Sequence, residues 1–234
     1  MGMHGTKPAE KFMLWVDAVG GFWVCQGEEV ILGQPGDGGG ADVPILADLS
    51  LRHARIRRDG ENYLIEALGG RGGERSPRTA ELGMDAREGP ARPAAHPPRP
   101  VKLNGKVLDH VSWLADNNRI ELGEGVKLVF RRPHPLSATA RLEFASRHRT
   151  QPSSDGVLLL ADSCVLGPRR QSHVLCRDWP QEVILFRHEE ELYCRTPGWF
   201  EIDGVARRDR GRLLRNSRVA GEGFAFSLEP LEEY

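Results

Sequence analysis

Gly21-Phe22-Trp23-Val24-Cys25-Gln26-Gly27-Glu28-Glu29-Val30-Ile31-Leu32-Gly33 is the stretch that decides the fold. It reads as an apolar, aromatic run, a Gln-Gly turn and a β-branched run, which is strand, turn, strand. The order recurs, with one gap, in Gly156-Val157-Leu158-Leu159-Leu160-Ala161-Asp162-Ser163-Cys164-Val165-Leu166-Gly167. Further on, Leu103-Asn104-Gly105 matches Ile202-Asp203-Gly204. Without a gap, Leu114 then falls on Leu213, Asn117 on Asn216 and Arg119-Ile120 on Arg218-Val219. Gly123-Glu124-Gly125 falls on Gly221-Glu222-Gly223 after one residue is dropped. Matches in one order and at one spacing indicate an internal duplication.

Outward from these anchors the chain keeps the same character. Ala54-Arg55-Ile56-Arg57, Tyr63-Leu64-Ile65 and Lys127-Leu128-Val129-Phe130 read as strands, with turn signals at Asp59-Gly60 and Asn104-Gly105. No window sustains helical spacing over three turns. The fold class expected is all-β: two tandem antiparallel β-sandwiches, over residues 12–131 and 153–231. Residues 69–100 are packed with Gly, Pro, Arg and Ala and cannot bury enough surface to offset ordering, so they are expected as a disordered loop within the first sandwich. Residues 132–152 are expected as the linker, with one short apolar piece, Ala140-Arg141-Leu142-Glu143-Phe144.

Ile31-Leu32-Gly33, then Ser50-Leu51-Arg52-His53-Ala54-Arg55-Ile56, then Leu103-Asn104-Gly105, then the segment from Leu114 to Leu122-Gly123 together resemble the forkhead-associated (FHA) domain. The resemblance implies a β-sandwich whose loops at one end bind phosphothreonine peptides. It places Ser50 at the hydroxyl that meets the phosphate, and His53 at a histidine that braces the loop from inside. Asn104 and Gly105 fall on a structural hairpin turn. Gln34 stands where the family has an arginine. An amide donates to phosphate without charge, and a lost charge-assisted bond costs about 1.5–3 kcal/mol. The family's peptide-holding Asn has no match, because Leu68-Gly69-Gly70 lies there. Arg52 either replaces the missing cation or is a solvated loop arginine. In the second copy, Pro168 follows Leu166-Gly167, and Trp179-Pro180-Gln181-Glu182 fills the Ser-x-x-His window, so that copy is expected to keep the fold without the site.

Other signals are weaker. Gly36-Asp37-Gly38-Gly39-Gly40-Ala41 follows a strand, but Asp42-Val43-Pro44-Ile45 offers no helix to hold a pyrophosphate. His188-Glu189-Glu190-Glu191 opens like a zinc-protease helix, yet Leu192 stands where a second histidine is needed, and it reads as a charged hairpin turn. Cys25, Cys164, Cys176 and Cys194 are dispersed in apolar runs and read as reduced, buried thiols. The run Arg207-Arg208-Asp209-Arg210-Gly211-Arg212-Leu213-Leu214-Arg215-Asn216-Ser217-Arg218 is the strong basic patch. It reads as a solvated turn region or as a surface for an acidic partner; no aromatics interleave with it, which argues against nucleic acid.

The 234 residues are 39% hydrophobic and 28% charged, with a formal net charge of −1, so no global attraction to nucleic acid or anionic membrane exists. Residues 12–25 are too short to span a bilayer, and Asp17 interrupts them. A cytoplasmic, non-enzymatic interaction protein without cofactor or metal is expected. Its expected partner is a phosphorylated or acidic protein, as in a Ser/Thr kinase pathway. The alternatives are a phosphate-independent scaffold and, behind it, a nucleic-acid adaptor using the basic patch.

Overall fold

In the computed structural model, residues 11–36, 40–68, 99–189 and 191–231 are described. Residues 69–98, the bulk of the expected disordered loop, lie outside them. The first half forms β1 (Lys11–Val16), β2 (Gly20–Cys25), β3 (Glu29–Gly33), β4 (Val43–Pro44), β5 (Ala54–Asp59), β6 (Asn62–Ala67), β7 (Val101–Leu103), β8 (Lys106–Val107), β9 (Ser112–Leu114), β10 (Arg119–Leu122) and β11 (Val126–Arg131). The second forms β12 (Ala140–Phe144), β13 (Gly156–Leu159), β14 (Ser163–Gly167), β15 (Val174–Leu175), β16 (Val183–His188), β17 (Glu191–Ile202), β18 (Val205–Leu213), β19 (Arg218–Gly221) and β20 (Phe224–Pro230). The fold is all-β, with no helix among the described residues.

The repeated sequence makes repeated pairings. Leu32 lies opposite Ala54 and beside Val43, and in the second half Leu166 lies opposite Val183 and beside Val174. Both β3–β4 and β14–β15 run parallel, as does β2–β13, so the sheets are not purely antiparallel.

The halves are joined through their strands. β1 pairs with β2 on one side and with the last strand, β20, on the other. β12 pairs with β11 of the first half and with β13. One sheet therefore runs β15-β14-β16-β17-β19-β20-β1-β2-β13-β12-β11-β10-β7-β8, with β18 on β17, and a second runs β4-β3-β5-β6-β9. The stretch 132–152, expected as a linker, contributes β12 to the body of the sheet, and Ala140 and Leu142 are fully buried.

Alternation explains how one sheet serves two cores. Successive side chains of a strand point to opposite faces. Met13, Trp23, Cys25, Val157 and Leu159 pack in one core with the 5-stranded sheet, while Phe12, Leu14, Val16, Phe22, Val24 and Leu158 pack in the other with β14, β16 and β20. β1, β2 and β13 thus lie between the cores. Strands buried on both faces need continuous apolar sequence, which Phe12-Met13-Leu14 and Val157-Leu158-Leu159 supply. Polar contacts lock the joint. The Tyr63 hydroxyl donates to the Leu159 carbonyl (3.2 Å), and the Gly21 amide donates to Asp155 Oδ2 (2.9 Å).

Candidate functional site

Gln34 follows β3, and Ser50 to His53 lead into β5, so the β3–β5 pairing brings the two loops together. The Gln34 amide donates to the Ser50 carbonyl at 3.0 Å. Gly33 permits this approach, because a Cβ there would collide with the Leu51 carbonyl. The Ser50 side chain is partly exposed and that of Arg52 is exposed; among the described residues neither the Ser50 hydroxyl nor the Arg52 guanidinium has a hydrogen-bond or ion-pair partner. Arg99 adds a cation that the sequence reading assigned to the disordered stretch. It donates to the Leu49 carbonyl at 3.1 Å and pairs with Asp48 at 2.6 Å, which holds the loop just ahead of Ser50.

His53 is fully buried. Its amide donates to the Leu32 carbonyl (2.8 Å), its carbonyl accepts from Leu68, and its Nδ1 accepts from the Ser50 amide at 3.3 Å. Burial lowers its pKa below the ordinary histidine value; the Pro100 backbone acts against this and Arg99 with it. A neutral ring suits an accepting Nδ1. His53→Ala is expected to leave the Ser50 amide unpaired at a cost of about 2 kcal/mol. That lowers the thermal midpoint by roughly 4–8 °C in a chain of this size. A melting curve unchanged from wild type would make His53 a contact residue instead of a brace.

Asn104 and Gly105 carry φ of 52° and 82° and close the β7–β8 turn. The Asn104 side chain accepts from the Arg119 amide at 2.9 Å. Asp203 (φ 53°) repeats the device, accepting from the Arg218 amide at 2.8 Å. The turn that Asn118 closes on the Ala115 amide is closed by Ser217 on the Leu214 amide, each at 2.9 Å.

The second copy keeps the frame and changes the groups at the loop end. Glu182 occupies the register position of His53 and pairs with Arg169 at 3.4 Å. The reverse exchange occurs one strand away. Asp42 Oδ2 accepts from the Ile31 amide (2.8 Å), and at the matching register His173 Nδ1 accepts from the Val165 amide (2.9 Å). His173 is fully buried and its ring stacks on that of His134. Burial first, then His134, hold its pKa down at about 4.

All four cysteines are buried and free, and burial pushes the thiols of Cys164, Cys176 and Cys194 up to about 12, far from nucleophilic. Among the described residues no cluster of His, Cys, Asp and Glu could hold a metal ion, and no helix is long and apolar enough to cross a membrane. The basic run is strand from Arg207 to Leu213, in β18, and a turn only at Arg215-Asn216. Comparisons with protein-family models, with curated proteins and with solved structures found no match.

Proposed function

We propose that this chain is a non-catalytic recognition module that takes a protein phosphorylated on threonine, the product of a Ser/Thr kinase, at the loop end formed by Gln34, Ser50 and Arg52. The observation that carries the reading is the backbone bond from Gln34 to Ser50. It draws the loop that carries Gln34 against the loop that carries Ser50 and Arg52, and among the described residues the Ser50 hydroxyl and the Arg52 guanidinium are unpaired. A phosphate has nearly two charges and strong acceptors, so hydroxyl, amide and guanidinium donors of this kind are the groups that would bind it. His53 and Arg99 hold the loop from behind.

One cation and one hydroxyl bind weakly, roughly in the high micromolar range. Gln34→Arg is expected to tighten binding of a phosphothreonine peptide pool about tenfold to a hundredfold, by restoring a charge-assisted bond. Ser50→Ala is expected to weaken it. Calorimetric titration of wild type and both variants decides the matter. Leu46 and Leu51 stand exposed beside the same loops, at 52% and 48%, and favour a second reading in which the loop end holds an unphosphorylated segment by apolar contact. Equal affinity of all three proteins for phosphorylated and unphosphorylated peptides would replace the first reading with the second.

A further inference from the structure

The outward face of β16, β17 and β18 combines charges and rings that lie far apart in the sequence. Leu185 and Cys194 face the second core, so Phe186, Tyr193 and Arg195 face away from it. Across β17 the register sets Arg195 opposite Arg210 and Trp199 opposite Arg208. The Phe186 and Tyr193 rings lie side by side, with centroids 5.5 Å apart and planes 21° apart. Trp199 is 68% exposed, with the Arg208 guanidinium 6.0 Å from its ring. The aromatics missing from the basic run are therefore supplied by its neighbouring strands.

This face is costly unless something covers it. Like charges directly opposite each other destabilise a strand pair, and neither Arg195 nor Arg210 has an ion-pair partner among the described residues. Arg212, by contrast, is neutralised by Glu191 at 2.7 Å, and Arg208 lies 3.7 Å from the exposed Asp209 carboxylate. β18 is an edge strand, and charges on an edge discourage aggregation. That accounts for Arg208 and Arg210. It accounts neither for Arg195, on a strand flanked on both sides, nor for an exposed tryptophan.

We infer that the outward face of β16–β18 binds single-stranded nucleic acid, with phosphates on Arg195, Arg208 and Arg210 and bases stacked on Trp199 and Tyr193. An acidic peptide would satisfy the arginines and leave the rings idle; a single strand presents both a charged backbone and exposed π-faces. A duplex hides those faces. The site is separate from the phosphopeptide loops and stands or falls without them. Because the whole chain carries a net charge of −1, attraction is local and strongest at low salt.

The test is fluorescence anisotropy of the full chain with a labelled oligothymidine decamer, a duplex of equal length and a Glu-rich decapeptide, from low to moderate salt. Three phosphate contacts on a single strand predict a log–log salt slope of about −2. Arg195→Gln with Arg210→Gln should reduce that slope to below about 1 in magnitude. Trp199→Ala should weaken binding about tenfold at unchanged slope, and Trp199→Phe should retain most of it. Circular dichroism checks each variant; if Trp199→Ala loses its fold, the Phe variant and the arginine pair carry the result. No binding at low salt, equal binding of the duplex or the Glu-rich peptide, or a folded Trp199→Ala that binds like wild type would each overturn the inference.

Discussion

Deleting residues 1–17 is expected to abolish cooperative unfolding of the entire chain, not to loosen one half of it. The deletion removes β1, in which Phe12, Leu14 and Val16 pack in the second core and Met13 in the first. Four buried side chains contribute about 1.5–3 kcal/mol each, so the loss of roughly 6–12 kcal/mol matches the whole stability of an ordinary domain. It also strips β2 and β20 of their common hydrogen-bonding partner and leaves two unpaired edges. For the same reason, fragments 1–131 and 132–234 are each expected to lack a sharp urea transition when expressed alone. The second fragment has no β1 or β2 to cover its core; the first loses β12 and β13 beside β11 and β2. Urea titration followed by circular dichroism is the measurement. A fragment 132–234 that unfolds in one steep step would show that the shared strands are dispensable.

The repeat was legible because its strongest marks are local. A hairpin turn with two positive-φ residues selects Asn-Gly or Asp-Gly whatever surrounds it, and Asn104-Gly105 and Asp203-Gly204 obey that rule in both copies. Strand identity was legible for the same reason. Strand partners were not. Trp15 and Ser227 face each other across more than two hundred residues, and nothing in either local pattern names the other. One clue was present. Phe12-Met13-Leu14 has no polar position, which a strand with one wet face would not tolerate. The apolar Ala140, Leu142 and Phe144 alternate like a half-buried strand, although proline and serine around them suggested a linker.

The candidate site divides along the same line. Gln34, Ser50 and His53 could be placed from sequence because Leu32-Gly33 and Ser50-Leu51-Arg52-His53 are local marks, and the antiparallel β3–β5 pairing brings the two ends of the connection over residues 34–53 together. Arg99 could not, because it sits at the end of a Pro- and Gly-rich stretch with no periodicity to fix its position. Its anchoring to Leu49 and Asp48 exists only in three dimensions. The rings beside the basic run are not legible in sequence because Tyr193 meets Arg212, and Phe186 meets Tyr193, across strands and not along the chain.

Acidification from about pH 6.5 toward 4 is expected to destabilise the protein through His173. In the unfolded chain this imidazole takes up its proton near the ordinary value of 6.5, and in the folded chain only near 4. Above 6.5 both states are neutral and the contribution is intact. Between the two values the unfolded state binds more protons, so each step down in pH favours unfolding, and below about 4 the loss is complete. The gap corresponds to roughly 3 kcal/mol. The structural reason is that Nδ1 must keep its lone pair for the Val165 amide, while burial, the stacked His134 and nearby Arg141 all oppose a positive charge. His53 shifts in the same direction and adds to the slope. The first half meets the same hydrogen-bonding demand with Asp42, whose carboxylate accepts from Ile31 and also pairs with Lys11 at 3.2 Å. An oxygen acceptor is therefore compatible with this register. His173→Asn places a non-titrating carbonyl there, and its urea midpoint should fall less than that of wild type between pH 7 and pH 4.5. Parallel midpoint profiles for the two proteins would remove His173 as the source of the acid sensitivity. A flatter profile for the variant, with the residue of the slope left to His53 and the carboxylates, would assign it.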